Sequence, residues 1–242
     1  MFKNLLTQSG KVAVIKSISL KTFLGECLLG CEQKYTFRGQ ADASWKLVPS
    51  GFRNGKGQLL TLTERDERLR VFQGKDFINE CDELRSILSI REDVKQLSGA
   101  EYQRLQLMVI AQHFGVPTPL LDWTRSPLVA AYMAISFRRA PGVIGIYRMD
   151  GSTLPDDLIF TDYSEVSFNR IRSQLGGVSF FGKVDNGNVQ ISTDTIEEYM
   201  TINNKKIKRG IMDCFVSKVN VKIEMNDLEK ISDVISSNGI VI

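Results

Sequence analysis

The hydrophobic and polar positions at the start of the chain predict strands and one helix. Lys11–Ile18 and Lys34–Gln40 have the alternation and the β-branched or aromatic residues typical of strands. Between them, Ser19–Gly30 begins on a capping serine and has helical spacing. The next stretch, Ala41–Gly57, contains several glycines and a proline, so we expect it to be irregular.

The middle of the chain has the spacing of helices, at Glu64–Leu88, Glu101–Phe114 and Pro127–Arg139. Gly115 follows the second of these segments, where a glycine commonly ends a helix. Ser126 stands before the third as an N-cap, and the proline after it suits the first helical position. The third segment is apolar on nearly every face, which predicts a central, buried helix.

Strands return in the C-terminal part, at Gly142–Met149, Leu158–Tyr163 and Asp213–Val221. An amphipathic pattern predicts a last helix at Asn226–Ser237. The short basic run Asn203–Arg209 is interpreted as a solvated turn, with an anion contact as the alternative.

Together these elements predict an α+β fold with mixed short strands around a largely helical central segment. A length of 242 residues suits one large domain. No long Gly/Ser or Pro linker divides the chain, so we expect a single domain over residues 1–242, with its core motifs in 34–181. No segment approaches the roughly 20 apolar residues of a membrane span. The first ten residues lack the apolar run of a signal peptide, and we therefore expect a cytoplasmic protein without a membrane partner.

The net charge and the number of cysteines and histidines limit the kinds of ligand and metal site that the sequence allows. The formal net charge is only +3, too small to indicate nucleic-acid binding by itself. The basic residues are locally concentrated, however: Lys34–Lys56 has Asp42 as its one acidic residue. The four cysteines are scattered without a CxxC pair, and His113 is the only histidine, so we expect no metal site of the zinc type. An oxygen-ligated magnesium site stays open as an alternative.

The first candidate for chemistry is Arg38, which lies in a predicted strand beside aromatic residues. Such an arginine either pairs with a carboxylate or presents its planar fork to an anion. The neighbouring Gly39 permits another group to approach the backbone closely, and Gln40 adds an amide next to it. Both interpretations of the arginine remain open.

The second candidate is the segment Ala111–Arg125, in which a helix end, a proline-containing loop and a helix start follow one another. It contains His113, Thr118, Asp122 and Trp123. Asp122 stands between two large apolar residues, where an unpaired charge costs several kcal/mol. These residues are either part of a site or a polar clip between two buried helices.

The third candidate is Asn169–Phe181, where Arg170 and Gln174 precede a pair of glycines and an apolar strand. Arginines beside glycines can hold a phosphate. The sequence has neither a P-loop nor a GxGxxG motif, so the common nucleotide-binding folds are excluded. It also lacks the GxSxG motif of serine hydrolases.

These three segments together resemble the FRG domain family of bacteria and phages. The resemblance rests on FRGQ at Phe37–Gln40, on QHFGVPTPLLDWTRSPLVAAYMAI at Gln112–Ile135 and on NRIRSQLGGVSF at Asn169–Phe180. The middle motif is the most specific of the three. Pro119 departs from the pattern, because the family usually has an arginine there. The resemblance implies a role in conflict between phages and their hosts.

The first motif is also similar to the opening strand of arginine-containing ADP-ribosyltransferases. This similarity implies an ADP-ribosyltransferase-like fold and a substrate, NAD, whose phosphates Arg38 would bind. A carboxylate would then stabilise the oxocarbenium-like state that forms as nicotinamide leaves. Asp122 is the expected carboxylate, with Glu165 in reserve.

The hypothesis is therefore that the three motifs converge on one cleft of an NAD-using, ADP-ribosyltransferase-like toxin or phage-defence effector. Its acceptor is left open between a nucleic acid, a protein and water. The alternative is a non-catalytic module that binds a nucleotide, a nucleic acid or a protein. The expected catalytic residues are Arg38, His113 and Asp122, and the expected ligand contacts are Gln40, Thr118, Trp123, Arg170 and Gln174.

Overall fold

The computed structural model describes residues 13–29, 35–73, 100–136, 141–162, 176–185, 188–208 and 215–224, together with Asp227, Asp233 and Ser237. The strands are β1 (Ala13–Ser19), β2 (Tyr35–Gln40), β3 (Leu121–Thr124), β4 (Gly142–Asp150), β5 (Leu158–Asp162), β6 (Gly176–Asp185), β7 (Asn188–Ile191) and β8 (Val216–Ile223). The helices are α1 (Leu20–Leu29), α2 (Leu62–Gln73), α3 (Ala100–His113), α4 (Pro127–Ser136) and α5 (Ile196–Lys208).

The strands form one sheet in the order β1-β8-β4-β2-β3-β6-β5, with β7 paired to β6 alone. β1 runs parallel to β8, and the other neighbours are antiparallel. The two strands that carry the motifs, β2 and β3, are neighbours in its middle, where Phe37 pairs with Thr124. The sheet combines strands from the N-terminal and C-terminal parts of the described chain.

Helices cover both faces of this sheet. On one face, α1 and α4 pack on β2, β4 and β8 through a cluster that includes Phe37, Leu128 and Ile146. On the same face, α2 and α3 pack over β6. The opposite face carries α5, whose Met200 packs in a cluster with Trp123. Because successive residues of a strand point to opposite faces, β2 and β3 contribute to both sides of the core.

The α+β prediction is confirmed, and so are most predicted helices and strands. Ser126 caps α4, since its Oγ accepts a hydrogen bond from the Val129 N–H at 3.3 Å. Gly115 has a φ of 87°, the left-handed conformation expected after α3. The predicted helix over residues 226–237 and the segment 74–88 fall largely outside the described residues.

Two interpretations of the sequence are wrong. The basic run Asn203–Arg209 was expected to be a turn, but its residues as far as Lys208 belong to helix α5. On this helix Lys206 is exposed and Asn203 and Asn204 are half-buried, so solvation did not require a loop. The loop expected before α4 contains strand β3, which pairs with β6 from Leu121 to Thr124. Four residues are too few to show the alternation that identifies a strand.

An ion pair joins α2 to the start of α5. Arg65, only 2% exposed, donates two hydrogen bonds to the Glu198 carboxylate at 2.7 and 2.8 Å. Thr195 caps α5 and also donates to this carboxylate, at 2.9 Å. Burial raises the pKa of Glu198, but the hydrogen bonds from Arg65 and Thr195 outweigh it and hold the pKa below its ordinary value.

This lowered pKa predicts a specific loss of stability in acid. The unfolded chain takes up the proton first, so the contribution of Glu198 disappears as the pH falls from about 5 to about 3. Between those pH values, the melting temperature of the wild type should fall more steeply than that of Glu198→Gln. Equal slopes in thermal melts of the two proteins would show that the carboxylate is not responsible.

The core around α4 gives a second prediction. Leu128→Ala should lower the free energy of unfolding by about 2–5 kcal/mol, because the truncation leaves a cavity beneath the sheet. Leu62, which is 59% exposed at the start of α2, provides the matched control. Leu62→Ala should change stability by less than about 0.5 kcal/mol in the same denaturant titration. A small effect at Leu128 would contradict its place in the core.

No helix in the described part of the chain is long and apolar enough to cross a membrane.

Candidate functional site

Arg38 and Asp122 meet where β2 lies beside β3. The Arg38 guanidinium donates from Nη1 to the Asp122 main-chain carbonyl at 2.8 Å, and the same nitrogen lies 4.0 Å from Asp122 Oδ2. The Arg38 side chain is 19% exposed and that of Asp122 is 44% exposed. The expected proximity of these two residues is therefore present, at a place that solvent reaches.

A chain of hydrogen bonds orients the Asp122 carboxylate. Gln112, near the end of α3, donates to Asp122 Oδ2, and the Thr118 hydroxyl donates to Gln112 Oε1. Thr118 is fully buried, so its hydroxyl acts through Gln112 and not on a ligand. Gln112 lies in the QHFG motif, but its role is not evident from the sequence, because the neighbouring histidine has the more familiar chemistry.

Gly39 allows helix α4 to touch the middle of the sheet. A Cβ at this position would overlap the Ala130 carbonyl oxygen and lie 2.8 Å from the Ala130 carbonyl carbon. Ala130 is 1% exposed in the centre of α4, and this backbone cannot move away freely. The glycine after Arg38 thus has a packing role that explains its place in the motif.

Two residues that were expected to contact a ligand instead hold the fold together. Trp123 is only 2% exposed, and its ring N–H donates to Ser179 Oγ at 2.8 Å inside the core. Its indole therefore cannot form the expected stacking wall. Gln40 is 5% exposed and donates to the Lys46 carbonyl at 3.2 Å, so it holds a loop.

The remaining expected residues divide into two groups. His113 is the half-buried last residue of α3, one position after Gln112. Arg170 and Gln174, and the reserve carboxylate Glu165, lie outside the described residues. Of the third motif, Gly176–Phe181 is described, and it forms the part of β6 that pairs with β3.

A basic pocket of about 930 Å³ opens beside the loop that follows β2. The residues that line it come mainly from 44–59 and include no acidic residue. Pro117 of the loop before β3 also contributes to its wall. Its basic side chains are Lys46, Arg53, Lys56 and Arg68.

Arg53 connects this basic pocket to Arg38. Burial lowers the pKa of Arg53, and the nearby positive charge of Arg38 lowers it further. Within the described part of the chain, the buried Arg53 Nε has no hydrogen-bond acceptor. Arg68 donates to the main-chain carbonyls of Gly51 and Arg53, at 2.8 and 3.2 Å, and so fixes the inner wall. Two positive charges that repel one another in this way favour an anion as ligand.

The loop at the mouth of the pocket is held from below by buried side chains. Lys218 donates to the Ala43 carbonyl, Tyr147 Oη to the Trp45 carbonyl at 2.9 Å, and Gln40 to the Lys46 carbonyl. These three donors come from β8, β4 and β2, which are adjacent strands. Because its main chain is fixed at three carbonyls, the loop presents the side chains at 45 and 46 in a set position.

One feature of the sequence indicates this pocket, namely the excess of basic residues in Lys34–Lys56. The sequence pattern did not indicate Arg68, Tyr147 or Lys218, since these residues come from α2 and from distant strands. Across the described ranges, no three His, Cys, Asp or Glu side chains come together in a set that could hold a metal ion.

One family model matches part of the chain. The model of the FRG domain matches residues 33–141, which include β2, the basic pocket and the Gln112–Asp122 segment. No curated protein sequence matches the chain, and no solved structure does.

Proposed function

Because the chain carries an FRG domain at residues 33–141, we propose that this domain binds a phosphorylated nucleotide in the basic pocket. The observation that carries the proposal is a pocket of about 930 Å³ lined by four basic side chains and by no acidic one. Pockets of this size bind ligands as large as a nucleotide.

The phosphates would lie at the inner end of the pocket. Arg53 has a donor without an acceptor there, and Arg38 contributes a second positive charge. An anion between these arginines forms charge-assisted hydrogen bonds and relieves their mutual repulsion. The partly exposed Asp122 carboxylate, 4.0 Å from Arg38, would then face the sugar.

NAD is the proposed nucleotide, and transfer of its ADP-ribose group is the proposed reaction. The bond between ribose C1′ and the nicotinamide nitrogen breaks, and neutral nicotinamide leaves with the electron pair. Asp122 stabilises the positive charge that develops on the ribose. The acceptor then bonds to C1′ and releases a proton. His113 is the proposed general base that takes this proton. An ADP-ribosyltransferase-like fold and a role as a toxin or phage-defence effector belong to the same proposal.

A non-catalytic module that only binds the nucleotide is the alternative. The two functions predict different results when purified protein is incubated with NAD and cell extract, with nicotinamide measured by mass spectrometry. If the protein transfers ADP-ribose, the wild type should release nicotinamide and Arg38→Ala should not. Expression of the wild type should also arrest growth, whereas expression of Arg38→Ala should not. Binding of NAD without release would remove the transfer step and leave a binding module.

A further inference from the structure

The basic pocket has an inner and an outer part that differ in exposure. Arg53 and Arg68 are half-buried at its inner wall, whereas Lys46 and Lys56 are exposed at its mouth. Trp45, with half of its surface exposed, stands in the same outer part. We refer to Trp45, Lys46 and Lys56 as the outer rim.

The outer rim adds more basic and aromatic side chains than the binding of a single nucleotide needs. The two phosphates of a dinucleotide such as NAD are matched by the inner arginines together with Arg38. Two lysines and a large indole then remain at the mouth of the pocket, and no acidic residue in the described lining neutralises them. An indole exposed to half of its area is costly to leave in water, and the three carbonyl hydrogen bonds described above hold its main chain in place.

We infer that the outer rim binds a single-stranded nucleic acid. A base stacks on the Trp45 indole, and the phosphates on either side of it lie against Lys46 and Lys56. Stacking on an aromatic ring between basic side chains is the general means by which proteins hold unpaired strands. Because the loop is already fixed, little conformational entropy is lost on binding. The inference rests on the proposed function and names the class of its acceptor.

An acidic peptide is the less favoured ligand for this rim. Its carboxylates would pair with the lysines, but it offers no flat π-surface to the indole. A duplex fits less well too, because its bases are already stacked on one another. The shared chemistry of RNA and DNA single strands, a phosphate backbone with unpaired bases, is what the rim matches.

The test is fluorescence anisotropy of labelled RNA and DNA single strands of roughly ten nucleotides, titrated with the full chain. Trp45→Ala should weaken strand binding about tenfold, whereas Trp45→Phe should retain most of it. Lys56→Ala should reduce the slope of log affinity against log salt by about 1. Arg70→Ala, an exposed arginine of α2 outside the pocket lining, is the control and should change neither.

The chain also contains its own reporter. Trp45 is exposed, and the one other tryptophan, Trp123, is buried, so strand binding should quench fluorescence in the wild type but not in Trp45→Phe. The tighter binding of the two strands, RNA or DNA, identifies which kind of nucleic acid the rim takes. The inference would be overturned if poly-glutamate displaced the labelled strand as well as an unlabelled single strand does. It would also be overturned if Trp45→Ala bound the strand as tightly as the wild type.

A parallel titration with ADP separates this inference from the proposed function. Trp45→Ala should alter ADP affinity less than about threefold, because the phosphates bind at the inner arginines. If ADP binds and single strands do not, the inference is wrong and the nucleotide pocket stands. If neither binds, the proposed function itself has failed.

Discussion

Gly39→Ala is expected to destabilise this domain strongly. The added Cβ would overlap the Ala130 carbonyl oxygen and lie 3.0 Å from the Ala134 Cβ, so α4 would have to move away from β2. Overpacking commonly costs 1–3 kcal/mol, and here main-chain atoms of a buried helix must shift, so the loss should exceed about 3 kcal/mol. For a chain of this length, that loss lowers the melting temperature by roughly 10 °C or makes the protein insoluble.

The matched control is Gly25→Ala in helix α1, where a Cβ would meet no atom within 4 Å. Alanine favours a helix over glycine, so this variant should be as stable as the wild type or more stable by up to about 1 kcal/mol. Thermal melts of the three proteins compare the two sites. If Gly39→Ala melted within about 2 °C of the wild type, the close contact between α4 and β2 would be wrong.

Asp122→Asn is expected to lower nicotinamide release about a hundredfold or more while the protein stays folded. The asparagine side chain keeps the shape of aspartate and can still accept a hydrogen bond from Gln112. Arg38 donates to the main-chain carbonyl at position 122, which the substitution does not alter. The Arg38 side chain is 19% exposed and keeps this carbonyl as a partner, so the loss of the Asp122 charge does not leave it buried without a hydrogen bond.

The control for this variant is Asp162→Asn, which removes a carboxylate that pairs with Arg125 away from the pocket. It should leave the release of nicotinamide within about twofold of the wild type, since no reacting group is touched. Normal turnover by Asp122→Asn would exclude Asp122 from the proposed reaction. A loss of several kcal/mol in stability would instead indicate a purely structural ion pair.

Local sequence pattern predicted much of the fold, because most elements are long enough to show their period. Pro127–Ser136 is the clearest case, with its serine cap, its proline at the first position and its apolar surface. β3 was missed because four residues carry too little periodicity. The continuation of α5 to Lys208 was missed because a basic run was interpreted by its charge alone.

The candidate site was predictable only where its residues are close in the sequence. The proximity of Arg38 and Asp122 followed from their motifs. Burial in the core could not be foreseen for Trp123, because an apolar residue looks the same in a sequence whether it lines a pocket or fills the core. The basic pocket depends on α2 and on hydrogen bonds from Tyr147 and Lys218, whose positions come from the tertiary structure.

The central claim is that the basic pocket beside Arg38 binds a phosphorylated nucleotide, and calorimetric titration with ADP tests it most directly. Arg53→Ala should weaken ADP binding at least tenfold, because a charge-assisted hydrogen bond is lost. The unliganded variant should be no less stable than the wild type, since the Arg53 side chain has no described hydrogen-bond acceptor and repels Arg38. Arg70→Ala should bind ADP as the wild type does. Absence of ADP binding, or an equal loss in Arg53→Ala and Arg70→Ala, would contradict the claim.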